Sequence, residues 1–173
     1  MRTESIQISY NVCELNELEH ADRLLIEAAK TAAKGSYSPY SKLSVGAAVL
    51  LENNQVVCGS NQENAAYPSG ICAERTALFY ANSNYPHQPV TVLAIAALTN
   101  GEYLPYPLSP CGSCRQVISE IERRFGKPIK VILYGTERII VIDKGSALLL
   151  PLSFGPDCLP ESKKTEKLPP CHL

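Results

Sequence analysis

The chain has 173 residues, 45% of them hydrophobic and 19% charged, a length and composition that fit one globular domain and exclude a disordered, collagen-like or coiled-coil protein. Sixteen Lys and Arg stand against seventeen Asp and Glu, for a net charge of −1. No basic excess is left to neutralise a row of phosphates, so long nucleic acid is not an expected partner.

The first 20 residues lack the basic flank, apolar core and small-residue cleavage site of a secretory leader, which makes the cytoplasm the expected location. No run approaches the roughly 18 apolar residues of a membrane span, so no membrane association is expected. Residues 14–34 carry Leu15, Leu18, Leu25, Ala28, Ala29 and Ala32 at helical spacing, and Gly35 supplies a stop; this predicts an amphipathic helix. After the turn-rich SYSPYS, residues 43–51 and 55–60 flank Glu52, Asn53 and Asn54 and read as a β-hairpin, with Gly46 marking a close backbone approach. Residues 72–82 lack Gly and Pro and follow a loop with Pro68, Ser69 and Gly70, which predicts a helix starting near Cys72.

Residues 90–98 are apolar at nearly every position, the pattern of a central strand covered on both faces. Pro110 precedes a second core helix over 111–125, with Val117, Ile118 and Ile121 on its apolar face and Gly126 and Pro128 at its end. Residues 129–134 and 139–142 read as strands, and 146–154 as a final helical turn halted by Pro151 and Pro156. The expected fold is a three-layer α/β/α arrangement with a mixed, roughly five-stranded sheet. Residues 1–158 form the expected catalytic domain, and 159–173, polar and proline-containing, a mobile tail.

Seven Cys is an odd number, and in a reducing compartment each is a buried apolar group, a metal ligand or a catalytic group before it is half a disulfide. Cys111 and Cys114 form a Cys-x-x-Cys pair at a predicted helix start, where thiolates are favoured. Alone, that pair fits a redox couple, half a structural zinc site or part of a catalytic one. Cys72 opens the other core helix 39 residues upstream. One helix, one buried strand and one loop lie between, a crossover that brings the two helix starts together. Three protein ligands with a fourth position open is the arrangement of a catalytic zinc, expected at one per chain. Cys13, Cys58, Cys158 and Cys171 have no ligand-pair spacing, and His20, His87 and His172 read as surface or packing residues.

Glu74 follows Cys72 by two residues, placing a carboxylate beside a metal-activated water where it can take a proton. A plain first-turn acid, stabilised by the helix dipole, is the alternative for this residue taken by itself.

The strings Cys72-Ala-Glu74-Arg75 and Pro110-Cys111-Gly-Ser-Cys114-Arg115-Gln116 together resemble the zinc signature of the cytidine deaminases, and the likeness runs from about Tyr37 to Pro156. The all-Cys ligand set resembles the small homotetrameric class. The resemblance implies hydrolysis of cytidine and deoxycytidine to uridine and deoxyuridine with release of ammonia, with Glu74 as acid and base. It further implies that Asn61 and Glu63 hold ribose hydroxyls and that Phe154 reaches over a base in a neighbouring subunit's site; without it, Phe154 reads as core. Arg75 is implied to hydrogen-bond the ligand sulfurs, offsetting the net negative charge of three thiolates around a dication. Leu43 stands where the family often has an aromatic residue, which points to altered base stacking, and Ala66 replaces a common Cys. Competing readings are a polynucleotide deaminase, a non-catalytic zinc module and a redox protein.

Overall fold

The computed structural model describes residues 1–159, so the expected tail lies, apart from Leu159, outside the described residues. Strands β1 (Asn11–Cys13), β2 (Leu43–Leu51), β3 (Val56–Ser60), β4 (Val90–Thr99), β5 (Glu102–Tyr103), β6 (Lys130–Leu133) and β7 (Ile139–Ile142) join in one sheet. Its order is β1-β7-β6-β4-β2-β3, with β5 paired to β4. Only the β4–β6 pairing is parallel. The sheet is therefore mixed, as expected, but seven-stranded rather than roughly five-stranded. The two added strands, at three and two residues, are too short to show a period of two in the sequence.

Helix α1 (His20–Ala33) covers one face of the sheet, and α2 (Ala73–Asn84) and α3 (Gly112–Phe125) cover the other. Strand β4 feeds both layers. Leu93, Ile95 and Ala97 pack with Leu78 and Ile118 on one side, while Ala94 and Ala96 meet Ile26 and Ala29 on the other. The run of apolar residues in β4 follows from this burial on both faces.

The helix predicted over 14–34 is interrupted. A single 3-10 turn at Leu15–Glu17 comes first, then Leu18 and Glu19 run extended before α1 begins at His20. Glu17 accepts the backbone N–H of Glu14 at 2.7 Å, closing that turn as a capping box. The Leu15-to-Leu18 spacing of three suits a 3-10 turn as well as a helix, which is why the break is silent in the sequence.

The helices sit close to the sheet. A Cβ on Gly46 would lie 2.1 Å from the carbonyl oxygen of Ala29 in α1, and one on Gly59 would lie 2.5 Å from the amide nitrogen of Ala77 in α2. Only glycine lets these backbones meet, and the second contact fixes the height of α2 above the sheet. The last helix, α4, is confined to Gly145–Leu149. Phe154 lies beyond it and is 59% exposed, which corrects its reading as core: Pro151 ends the apolar element before the chain can fold back over that ring. No helix among the described residues is long and apolar enough to cross a membrane.

Candidate functional site

Cys72 is the N-cap of α2 and Cys111 the N-cap of α3, both with extended backbone, so each sulfur sits at the positive end of a helix. The segment between them runs through α2, β4 and β5 and returns beside its start. Cys72 Sγ and Cys111 Sγ are 3.7 Å apart, and Cys111 Sγ and Cys114 Sγ 3.5 Å. All three ligand atoms lie within 4.8 Å of one another, and no other such group of His, Cys, Asp and Glu occurs among the described residues. Sulfurs held at about 2.3 Å from a tetrahedral zinc stand roughly 3.8 Å from each other, so the donor set and its spacing fit that ion.

The electrostatics of the cluster favour thiolate at Cys72. A hydrogen bond from Cys114 and the Arg75 guanidinium, working against burial, push the Cys72 thiol down to about 5, while the same bond and burial drive Cys114 upward. Arg75 Nη2 donates to Cys72 Sγ at 3.9 Å, and its Nε is buried without a partner among the described residues. Glu74, in the first turn of α2, is only 5% exposed. Burial raises its carboxyl above the ordinary carboxylate range, and the neighbouring Cys72 charge adds to that.

A cavity of about 730 Å³ opens over this cluster, within the size range of small-molecule sites. Leu43, Asn61, Glu63, Cys72, Glu74 and Cys111 line it, with Arg75 at its side. Cys114 is fully buried beneath, and Phe154 does not border the cavity. Asn61 is committed to the scaffold: its Oδ1 accepts from Ser36 Oγ at 2.5 Å and Val45 N at 2.8 Å, and its Nδ2 donates to Leu43 O at 2.9 Å. Glu63 accepts the backbone N–H groups of Tyr40 at 2.8 Å and Ser41 at 3.3 Å. Hydrogen bonding from Ser41 leads the effects that hold its carboxyl below the usual range.

Cys13 closes β1, Cys58 lies on β3 and Cys158 in a 3-10 turn, all away from the cluster; Cys171 and His172 are outside the described residues. His20 begins α1 and His87 lies in the loop before β4.

Two features have no counterpart in the sequence-based reading. Tyr40 and Tyr67 meet edge to face at the cavity wall, with ring centroids 6.3 Å apart. No periodicity points to that pair. Arg115 ties the loop before α3 in place, donating to Pro110 O at 2.8 Å, Ser109 Oγ at 3.0 Å and Leu149 O at 2.9 Å. Its position directly after Cys-x-x-Cys was the available signal.

Residues 19–126, which contain Cys72, Glu74, Cys111 and Cys114, match the family model described as the cytidine and deoxycytidylate deaminase zinc-binding region. The chain is 44% identical to a cytidine deaminase of Halalkalibacterium halodurans over 99 residues, 57% of this chain and 70% of that protein. It is 34% identical to a cytidine deaminase of Mycobacterium tuberculosis over 139 residues, 79% of this chain and 91% of that protein. Among solved structures, the 1.6 Å crystal structure of cytidine deaminase from Burkholderia pseudomallei superposes with a TM-score of 0.65 at 37% identity, covering 79% of this chain and all of that one.

Proposed function

The chain belongs to the cytidine and deoxycytidylate deaminase family, and on that premise we propose that it hydrolyses cytidine and deoxycytidine to uridine and deoxyuridine with release of ammonia. The observation that carries this reading is the meeting of three cysteine sulfurs beside a buried carboxylate at the floor of one cavity.

Cys72, Cys111 and Cys114 would hold the zinc, which when bound supplies Lewis acidity toward a water molecule. Glu74 accepts that water's proton as its oxygen bonds to carbon 4 of the cytosine ring, and delivers the proton to ring nitrogen 3. Glu74 then takes the remaining proton from the hydroxyl formed on carbon 4 and passes it to the exocyclic amine; the carbon–nitrogen bond breaks, ammonia departs, and carbon 4 is left as the carbonyl of uridine. Its raised proton affinity suits a group that both takes and gives a proton. Arg75 offsets the negative charge of the sulfurs from the side.

Leu43 packs against the base from the cavity wall. Asn61 and Glu63 hold the ribose hydroxyls. Because Asn61 Oδ1 already accepts two hydrogen bonds and Nδ2 gives one to Leu43 O, what Asn61 has left for the sugar is its second amide hydrogen. Glu63 keeps acceptor capacity beyond the two backbone donors it binds.

The functional form in this reading is a cytoplasmic homotetramer with shared sites. It is supported by Phe154, a large aromatic exposed on the surface and separate from its own chain's cavity. The test is ammonia release from cytidine, deoxycytidine, cytosine, adenosine and a short oligonucleotide, run beside zinc stoichiometry. Release from the two cytosine nucleosides, with one zinc per chain, is expected. A fully metallated protein inert toward both nucleosides would overturn the assignment.

A further inference from the structure

We infer that Gln116 and Arg123 of α3 are positioning residues that clamp the Ser153–Gly155 segment around Phe154, so that its ring is held outward for a neighbouring copy's cavity. The inference rests on the proposed role of Phe154 and adds the device that would make it work.

An exposed phenylalanine on an untethered loop would turn onto its own surface, because hiding a ring from water is worth more than leaving it free. Here the backbone is denied that freedom. Gln116 Nε2 donates to the carbonyl oxygen of Phe154 at 2.9 Å. Arg123 Nη2 donates to Ser153 Oγ at 3.0 Å, and Ser119 Oγ to the same oxygen at 3.4 Å. Gln116, Ser119 and Arg123 are spaced by three and four residues, so a single face of α3 makes all three contacts.

Gly155 completes the clamp. It is buried, and a Cβ built on it would lie 1.9 Å from Arg123 Nη1 and 2.3 Å from Cζ. The guanidinium therefore packs directly on the glycine backbone, in space that a side chain at 155 would take. The residues before and after Phe154 are fixed, while the ring between them stays 59% exposed. A partner meeting this ring loses little further loop freedom on binding, which favours affinity without extra contact area. The same helix carries Cys111 and Cys114 at its start, so one rigid element sets both a chain's own sulfurs and the aromatic it offers to its neighbour.

Steady-state kinetics with cytidine test the clamp, using Phe154→Ala, Arg123→Ala, Arg123→Lys, Gly155→Ala and the double variant Arg123→Ala/Phe154→Ala, with zinc content measured on each. Loss of an aromatic contact predicts a rise in KM of about two- to tenfold for Phe154→Ala. Arg123→Ala and Gly155→Ala should reproduce that rise with kcat and zinc retained, and Arg123→Lys, which keeps a donor for Ser153, should recover part of it. The double variant should match Phe154→Ala alone, since Arg123 acts only through the ring. A KM unchanged in both Arg123→Ala and Gly155→Ala, while Phe154→Ala raises it, would refute the clamp and leave the role of Phe154 standing; if Arg123→Ala does not fold, Gly155→Ala decides. Additive effects in the double variant would show that Arg123 acts elsewhere. No change in Phe154→Ala itself would instead remove the shared-site reading, and the clamp with it.

Discussion

The sulfur atoms of Cys72 and Cys111 stand 3.7 Å apart although 39 residues separate them in the chain. Two helix starts have been brought edge to edge by a crossover through the central strand β4, and the three sulfurs meet only because both helices pack on the same sheet face.

Replacing Cys72, Cys111 or Cys114 by Ala should abolish stoichiometric zinc, because two thiolates leave the coordination shell too open to retain the ion. Cys58→Ala and Cys158→Ala should keep full metal content. Elemental analysis after gel filtration reads the difference, and loss of zinc in either of the latter two, with retention in Cys72→Ala, would reverse the ligand assignment.

Glu74→Gln keeps the shape of the carboxylate and removes its capacity to accept a proton. Zinc content should stay at one per chain, while turnover of cytidine falls by about 10² to 10⁴. Near-normal ammonia release from this variant would sink the role given to Glu74.

Arg115→Ala should loosen the loop that delivers Cys111, since three hydrogen bonds from one guanidinium are lost. Hydrogen bonds to a charged group are worth about 1.5 to 3 kcal/mol each when well formed, but the three are partly exposed and not additive, so a loss of roughly 2 to 3 kcal/mol in chemical unfolding is expected. Zinc should also dissociate faster, by about 10- to 100-fold, as for other residues that orient a ligand. Metal exchange at the wild-type rate would show that the loop holds its shape without Arg115.

Glu63 accepts two backbone N–H groups more strongly when ionised, and its proton affinity in the fold is lower than that of an unfolded glutamate. Its stabilising effect is therefore present above the unfolded pKa and disappears as pH falls through the lower folded value. Glu63→Gln should melt below the wild type at neutral pH, and the two melting curves should converge in acid. A melting difference that persists undiminished at low pH would mean the Tyr40–Ser41 turn does not depend on the carboxylate charge.

The parts of this protein that depend on neighbours in the chain were legible in its residue order. Helix starts near Cys72 and Cys111, the doubly covered strand at β4 and the hairpin of β2 and β3 all follow from local spacing, turn residues and apolar pattern. Cys-x-x-Cys with Cys-x-Glu marked the candidate site for the same reason. Distances between residues far apart in sequence depend instead on how helices and sheet pack. The edge strand β1 exists because β7 offers it partners more than a hundred residues away. Phe154, apolar by type, is exposed while α3 hydrogen-bonds its carbonyl oxygen and the Ser153 hydroxyl, and no residue next to it in the sequence announces those contacts. Asn61, polar by type and placed in a loop, spends most of its amide on fastening β2. Residue type and local period encode which conformations are cheap, whereas the use of a particular donor or ring depends on which surfaces the sheet has already brought within about 3 Å of it.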